Sequence, residues 1–240
     1  MTPSVTLKNK ITLSVVSLKS NYRICIEDCV FSNTQGTPPS AGVDFEPFKA
    51  DQPMVGIVMR NCRIEGNSGN GIDLWAGMSD GKTPPYDITV ANCRVTGGQN
   101  GIRIGTGIGR ITDDPKALPQ GHVTFTNCVL ETCGRYGISV DAKPSRAFRL
   151  EFIGCSLYDV AGGEEDVDVR LRGKTEKGGS NLPDNIVFRD LTVRQPHPRQ
   201  WVRCVSLVEM AAPHVRDITG DVRVIGTNGK IQTIDVKPKP

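Results

Sequence analysis

The 240-residue chain is 38% hydrophobic and carries 29 basic against 26 acidic residues, a net charge of +3. That is material for the core of one domain. The charges are mixed along the chain without a Lys/Arg-rich cluster, which argues against nucleic acid and anionic membrane as partners. No apolar run reaches the ~18 residues of a membrane-spanning helix. The N-terminal stretch around Lys8 and Lys10 also lacks the apolar centre of a signal peptide. An extracellular or periplasmic location is therefore expected only if the native protein has an export signal that this chain lacks.

Taken in order, Ile11 to Val16 reads as part of a first coil, and an alternating segment then recurs. Its copies are Ile24-Cys25-Ile26-Glu27-Asp28-Cys29, Ile57 to Cys62, Ile88 to Cys93, Val123 to Cys128 and Leu150 to Cys155, with Ile186 to Leu191 as a sixth that ends in leucine. The five cysteines are spaced 33, 31, 35 and 27 residues apart, a period that marks a stacked repeat architecture. Each copy is followed by a short apolar pair such as Arg63-Ile64 or Arg94-Val95, a polar turn, and then a second alternating strand. Those strands are Gly42-Val43-Asp44-Phe45-Glu46, Gly71-Ile72-Asp73-Leu74-Trp75, Gly101-Ile102-Arg103-Ile104-Gly105, Gly137-Ile138-Ser139-Val140-Asp141 and, more loosely, Asp166-Val167-Asp168-Val169-Arg170.

No window shows the 3.6-residue apolar stripe with caps that a helical repeat needs. Three short strands per turn predict an all-β chain: a right-handed, single-stranded parallel β-helix of about seven coils. One domain is expected over 1–240, with coils over 11–225 and a loose tail over 226–240. Nothing resembling a capping helix covers the first coil, so an oligomer formed through that end is a further expectation.

The repeat also accounts for the cysteines. Cys29, Cys62, Cys93, Cys128 and Cys155 share one inward corner and are expected to stack as free thiols, since side chains pointing the same way across parallel strands are poorly aimed for a disulfide. Asp28, Asn61, Asn92, Asn127 and Asp190 occupy the bend beside them, where Asn and Asp tolerate left-handed backbone and can bond to one another in a ladder. Loops after the Gly-Ile strands (Pro47 to Pro53, Ala76 to Tyr86, Thr106 to Gln120 and Gly173 to Asp184) hold most of the irregular sequence and are expected to wall a cleft.

Outward positions of the Gly-Ile strands give two columns across successive coils: Asp44, Asp73, Arg103, Ser139, Asp168, and Glu46, Trp75, Gly105, Asp141, Arg170. Strand neighbours lie ~4.8 Å apart, so Asp44 and Asp73 confront each other as like charges. A raised carboxyl pKa or a bound divalent cation should follow. Paired carboxylates beside an aromatic platform are what glycosidic-bond chemistry uses, with one group protonating the leaving oxygen and the other acting as nucleophile or activating water. The Asp44/Asp73 spacing suits the roughly 5 Å of a retaining enzyme, and Glu46/Asp73, offset by a coil and two residues, suits the roughly 6.5–9.5 Å of an inverting one. Asp44, Glu46, Asp73 and Arg103 are therefore the candidate catalytic residues. Trp75, Asp141, Asp168 and Arg170 are the candidate substrate contacts. The histidines His122, His197 and His214 lie away from this face, which speaks against a histidine base or a His-based metal site.

The stretch from Asn33 through Gly42-Val43-Asp44-Phe45-Glu46-Pro47, with the Asn-Cys repeats and Asn70-Gly71-Ile72-Asp73, resembles the right-handed parallel β-helix proteins of the pectate-lyase-like superfamily, and among them the glycoside-hydrolase-like members. The likeness covers about residues 11 to 225. It implies a polysaccharide or oligosaccharide partner and a hydrolase, lyase, epimerase or tailspike-like role. Of the set that polygalacturonase-type hydrolases carry, neither Asn-Thr-Asp nor Gly-His-Gly occurs, and neither does the Asp-Pro-His-Glu stretch of uronan epimerases. The first expectation is a glycoside hydrolase. A calcium-assisted lyase or an epimerase, with Asp44, Glu46 and Asp73 on the metal and Arg103 assisting proton abstraction, is the second. A non-catalytic carbohydrate-binding or structural solenoid is the third.

Overall fold

A computed structural model describes residues 5–7, 12–13, 16–18, 21–36, 38–105, 119–141, 148–162, 168–172, 174–176, 179–181, 185–194, 205–208, 218–225 and 230–235. Among them every regular element is a β-strand. The chain winds as a parallel β-solenoid. A seven-stranded sheet stacks Val16–Leu18, Val43–Phe45, Asn70–Trp75, Asn100–Gly105, Tyr136–Asp141, Val169–Arg172 and Val205–Val208 in sequence order, each strand parallel to the next. We call it the site sheet. The other two strands of each coil belong to a fifteen-stranded sheet that doubles back on itself where Ile186–Arg194 spans both runs.

Alternation decides which side chains go in. Val43, Phe45, Ile72, Leu74, Ile102, Ile104, Ile138, Val140, Val169 and Leu171 are all essentially inaccessible, facing the interior from the site sheet. Each such side chain contributes ~1.5–3 kcal/mol by leaving water. Opposite them Phe125, Phe152 and Phe188 stack on three consecutive coils, with centroids 5.2 and 5.4 Å apart and rings nearly parallel. The five corner cysteines are buried free thiols, as is Cys133, and Cys25 is half-buried. At the bend Asp28, Asn61, Asn92, Asn127 and Asp190 all have φ between 52° and 56°. Asn127 Nδ2 donates to Asn92 Oδ1 at 3.4 Å, and Asn92 Nδ2 to Asn61 Oδ1 at 3.5 Å. The coil that has glycine at this place, Gly154, keeps the same left-handed angle at 63°. Both columns are scaffold.

The Gly-Ile step has a steric cause. A Cβ on Gly71 would lie 2.2 Å from Val95 Cγ1 and 2.7 Å from the carbonyl oxygen of Gly101 on the next coil. Coils stacked this closely leave no room for a side chain there.

The C-terminal end departs from expectation. Ile231–Asp235, placed by the sequence in a loose tail, pairs antiparallel with Ile218–Ile225, which itself runs parallel to Ile186–Arg194. The β-branched residues Ile231, Thr233 and Ile234 suit a strand, a signal that a loose tail over 226–240 does not take into account. Lys237 to Pro240 lie outside the described residues.

Candidate functional site

The outward face of the site sheet forms the floor of a cleft of about 710 Å³. Asp44, Glu46, Asp73, Trp75, Arg103 and Arg170 line it together with Asn70, Asn100, Ser139, Arg135 and Tyr136. Backbone register sets the floor: Asp44 pairs with Asp73, Asp73 with Arg103, Arg103 with Ser139 and Ser139 with Arg170. Asp44 and Asp73 are thus neighbours, as the columns predicted.

Two positions differ from the columns. Arg170, expected beside Asp141, stands beside Ser139. Asp168 leaves the column and does not line the cleft; it is buried, and its carbonyl oxygen accepts from the backbone of both Gly137 and Ile138 at 3.0 Å. That double acceptance slips the strand by two residues relative to a simple count from the motif, because Asp166-Val167-Asp168 lacks the glycine that fixes the other coils. Arg172, not Arg170, is paired with Asp141. The side chain of Asp141 lies outside the described residues.

The walls also differ from expectation. Gly36, Pro38, Pro39, Ser40, Ser68, Gly69 and Gln99 line the cleft, and all of them lie in turns that lead into the site sheet. The loops after the strands, Pro47 to Pro53 and Ala76 to Tyr86, contribute no lining residue. Gly173 to Asp184 lies partly outside the described residues, as does Thr106 to Gln120. Ser79 and Tyr86 turn inward, with their hydroxyls 2.7 Å apart. The Gly36–Ser40 turn presses on the following coil: a Cβ on Gly69 would lie 1.8 Å from the carbonyl oxygen of Pro39.

Asp73 is the most constrained member of the floor, 1% exposed. Arg103 Nη1 donates to both of its oxygens at 3.2 and 3.1 Å, and Asn70 Nδ2 donates to Oδ2 at 3.2 Å. Behind Asn70 stands its counterpart on the next coil, since Asn100 Nδ2 donates to Asn70 Oδ1 at 2.6 Å. The amides therefore run head to tail, and Asn70 and Arg103 both donate to the Asp73 carboxylate. At the far end of this chain the Oδ1 of Asn100 is buried without a hydrogen-bond partner.

Burial holds the Asp73 carboxyl above its ordinary range; the charge of Arg103 and the bonds from Asn70 and Arg103 pull it back, and the nearby charge of Glu46 pushes it up further. The direction agrees with the sequence reading. Exclusion from water leads, and the like charge that adds to it is that of Glu46.

Arg103 also lies over the Trp75 ring, 5.4 Å from its centroid, so part of the aromatic platform is occupied by a guanidinium. The trio proposed for calcium does not converge: among the described residues no three His, Cys, Asp or Glu side chains are placed to hold a metal ion. Glu46 sits beyond the end of its strand, and Asp73 is turned toward Asn70 and Arg103. His122 lies on the opposite sheet, bonded to Glu151 at 2.7 Å; His197 and His214 fall outside the described residues. Asn70, Asn100, Arg135 and Tyr136 were not predicted. The Asn-Gly-Ile shared by two coils was the available signal for the first pair.

No protein-family model matches the chain, and neither the curated proteins nor the solved structures contain a significant match to it.

Proposed function

We propose that this chain is a polysaccharide-active enzyme, a glycoside hydrolase built on a β-helix of the pectate-lyase-like kind. The observation that carries the reading is the placement of two aspartates, Asp44 and Asp73, on in-register neighbouring strands in the floor of a cleft of about 710 Å³. Asp73 is the base or nucleophile. Its hydrogen-bond shell consists of donors, and a pKa raised by burial makes it a stronger base than an exposed aspartate. Asp44, 6% exposed, is the partner acid, with Glu46 as the alternative at the longer spacing. Arg103 and Asn70 hold Asp73 in one orientation, and the uncovered part of Trp75 offers a sugar ring an apolar surface.

The test is release of reducing ends from a panel of glycans by the wild-type chain and by Asp44→Asn, Glu46→Gln and Asp73→Asn. The expected result is turnover by wild type and loss of at least ~100-fold in Asp73→Asn, within the range that acid–base groups supply. Proton NMR of the first product assigns the partner: retained configuration points to Asp44, inverted to Glu46. Unchanged turnover in both aspartate variants would sink the catalytic reading. Unsaturated products would replace hydrolysis by a lyase reaction, and binding without turnover in wild type would make the chain a carbohydrate-binding module.

A further inference from the structure

The charges of the cleft are sorted along its length. Asp44 and Glu46 belong to one coil and Asp73 to the next, and Arg103 on the following coil is tied to Asp73 through a 3.1 Å contact. Among the described residues that line the cleft, the sign changes past Ser139. Arg170 stands three coils from Asp73 in the same outward column, ~14 Å away at the strand spacing, and it makes no ion pair with any described residue. Its guanidinium lies 4.9 Å from the centroid of the Tyr136 ring, and that of Arg135 lies 5.3 Å from the same centroid. Tyr136 is itself 7% exposed, so a fixed ring stations both cations at this end of the groove.

A guanidinium stacked on an aromatic ring keeps its N–H edge available for a planar acceptor, and restricting its rotamers in advance lowers the cost of binding. Carboxylate and sulfate are the groups on glycans that accept two parallel N–H bonds. The opposite end of the groove repels the same groups, because Glu46 lines it with negative charge.

We propose that Arg170 forms an anion subsite that recognises a carboxylate or sulfate on the glycan a few sugar units from the bond held over Asp73, while the unit at Asp44 and Asp73 is uncharged. The sorted charge then fixes the direction in which the chain lies in the groove, since a reversed chain would bring its anion to the acidic end. This rests on the carbohydrate reading above but not on hydrolysis, and its test is a binding measurement.

Calorimetric titration of the intact chain with cellotetraose, tetragalacturonate and a chondroitin sulfate tetrasaccharide, each at low and at physiological salt, compares a neutral, a carboxylated and a sulfated probe. At least one anionic probe should bind ten-fold or more tighter than the neutral one, with a preference that shrinks as salt rises. Arg170→Gln should erase that preference. Arg170→Lys, which keeps the charge and loses the fork, should recover part of it, and it serves as the informative variant if Arg170→Gln fails to fold. Whichever anionic probe binds tighter identifies the group. Equal affinity for neutral and anionic probes, or an anionic preference that survives in both Arg170 variants, overturns the subsite. Arg170-dependent binding without turnover would refute hydrolysis and keep the subsite. Turnover of a neutral glycan, with no anionic preference in binding, would do the reverse.

Discussion

Replacing Arg103 by Met keeps most of its volume and removes the charge facing a carboxylate that is 1% exposed. Breaking a buried ion pair from one side costs ~3–5 kcal/mol. The Arg103 side chain is 27% exposed and partly solvated, so the expected loss at neutral pH is about 2–3 kcal/mol, inclusive of the contact with Trp75. At about 2–4 °C per kcal/mol for a chain of this size, the melting temperature should fall by roughly 5–10 °C.

The pH dependence separates this account from simple loss of packing. A carboxyl whose folded pKa lies above its unfolded value adds stability that is complete below the unfolded value and is lost as pH rises through the folded one. Removing Arg103 raises the folded value further. The penalty should therefore be small near about pH 3, below the ordinary aspartate value, and larger at about pH 7. Asp73→Asn in the same chain should restore most of the loss, because no charge is then left buried. Thermal melts of wild type, both single variants and the double variant at the two pH values make the measurement. A penalty equal at both, or a double variant no better than Arg103→Met, would refute the reasoning.

Four further predictions concern the scaffold. Gly71→Ala should cost about 2–3 kcal/mol in denaturant unfolding through overpacking against Val95 and Gly101. Gly134→Ala, whose added Cβ would meet only the Gly98 carbonyl oxygen at 3.5 Å, should change stability by less than about 0.5 kcal/mol. At the bend, Asn127→Ala should lose about 1 kcal/mol because φ there is 52°, and Asn127→Gly should lose less despite giving up the same ladder bond. Under a thiol-specific reagent at neutral pH, Cys25 should be modified first among the seven described cysteines, as mapped by peptide mass. Cys133, buried and with its pKa pushed up to about 12, should stay protected until the chain unfolds; rapid labelling of Cys133 in the native state would contradict its placement.

The solenoid was legible because it repeats. Asn61-Cys62, Asn92-Cys93 and Asn127-Cys128 mark the same corner, and a strand period of two on either side leaves little choice about what faces inward. Register follows from the glycines: wherever Gly begins the site strand, the column of outward residues came out as counted, which is why Asp44, Asp73, Arg103 and Ser139 were placed correctly. Where Asp168 replaces that glycine the count failed by two residues and misassigned Arg170. Burial was harder to read than position. Outward residues of an isolated strand face water, but Asp73 is held by Asn70 and by Arg103 of the next coil and is 1% exposed, and nothing in Pro39 says that its carbonyl will lean on Gly69. The amide relay was invisible for a related reason: Asn70 and Asn100 open their strands one residue ahead of the glycine from which outward positions are counted, and their bonds exist only once coils are stacked.

That parallel register has an evolutionary consequence. Each coil delivers one residue to each outward column, so gain or loss of a whole coil leaves the scaffold intact and rewrites the groove. Excision of residues 71–100 would join Asn70 to Gly101, positions equivalent in the stack, and bring Arg103 directly against Asp44. An acidic pair would become a salt bridge in a single recombination event, without one point mutation. Proteins of this architecture can change the chemistry they present by unequal crossing-over, with the fold as bystander, and sequence divergence at the site can then be abrupt where divergence in the core is gradual.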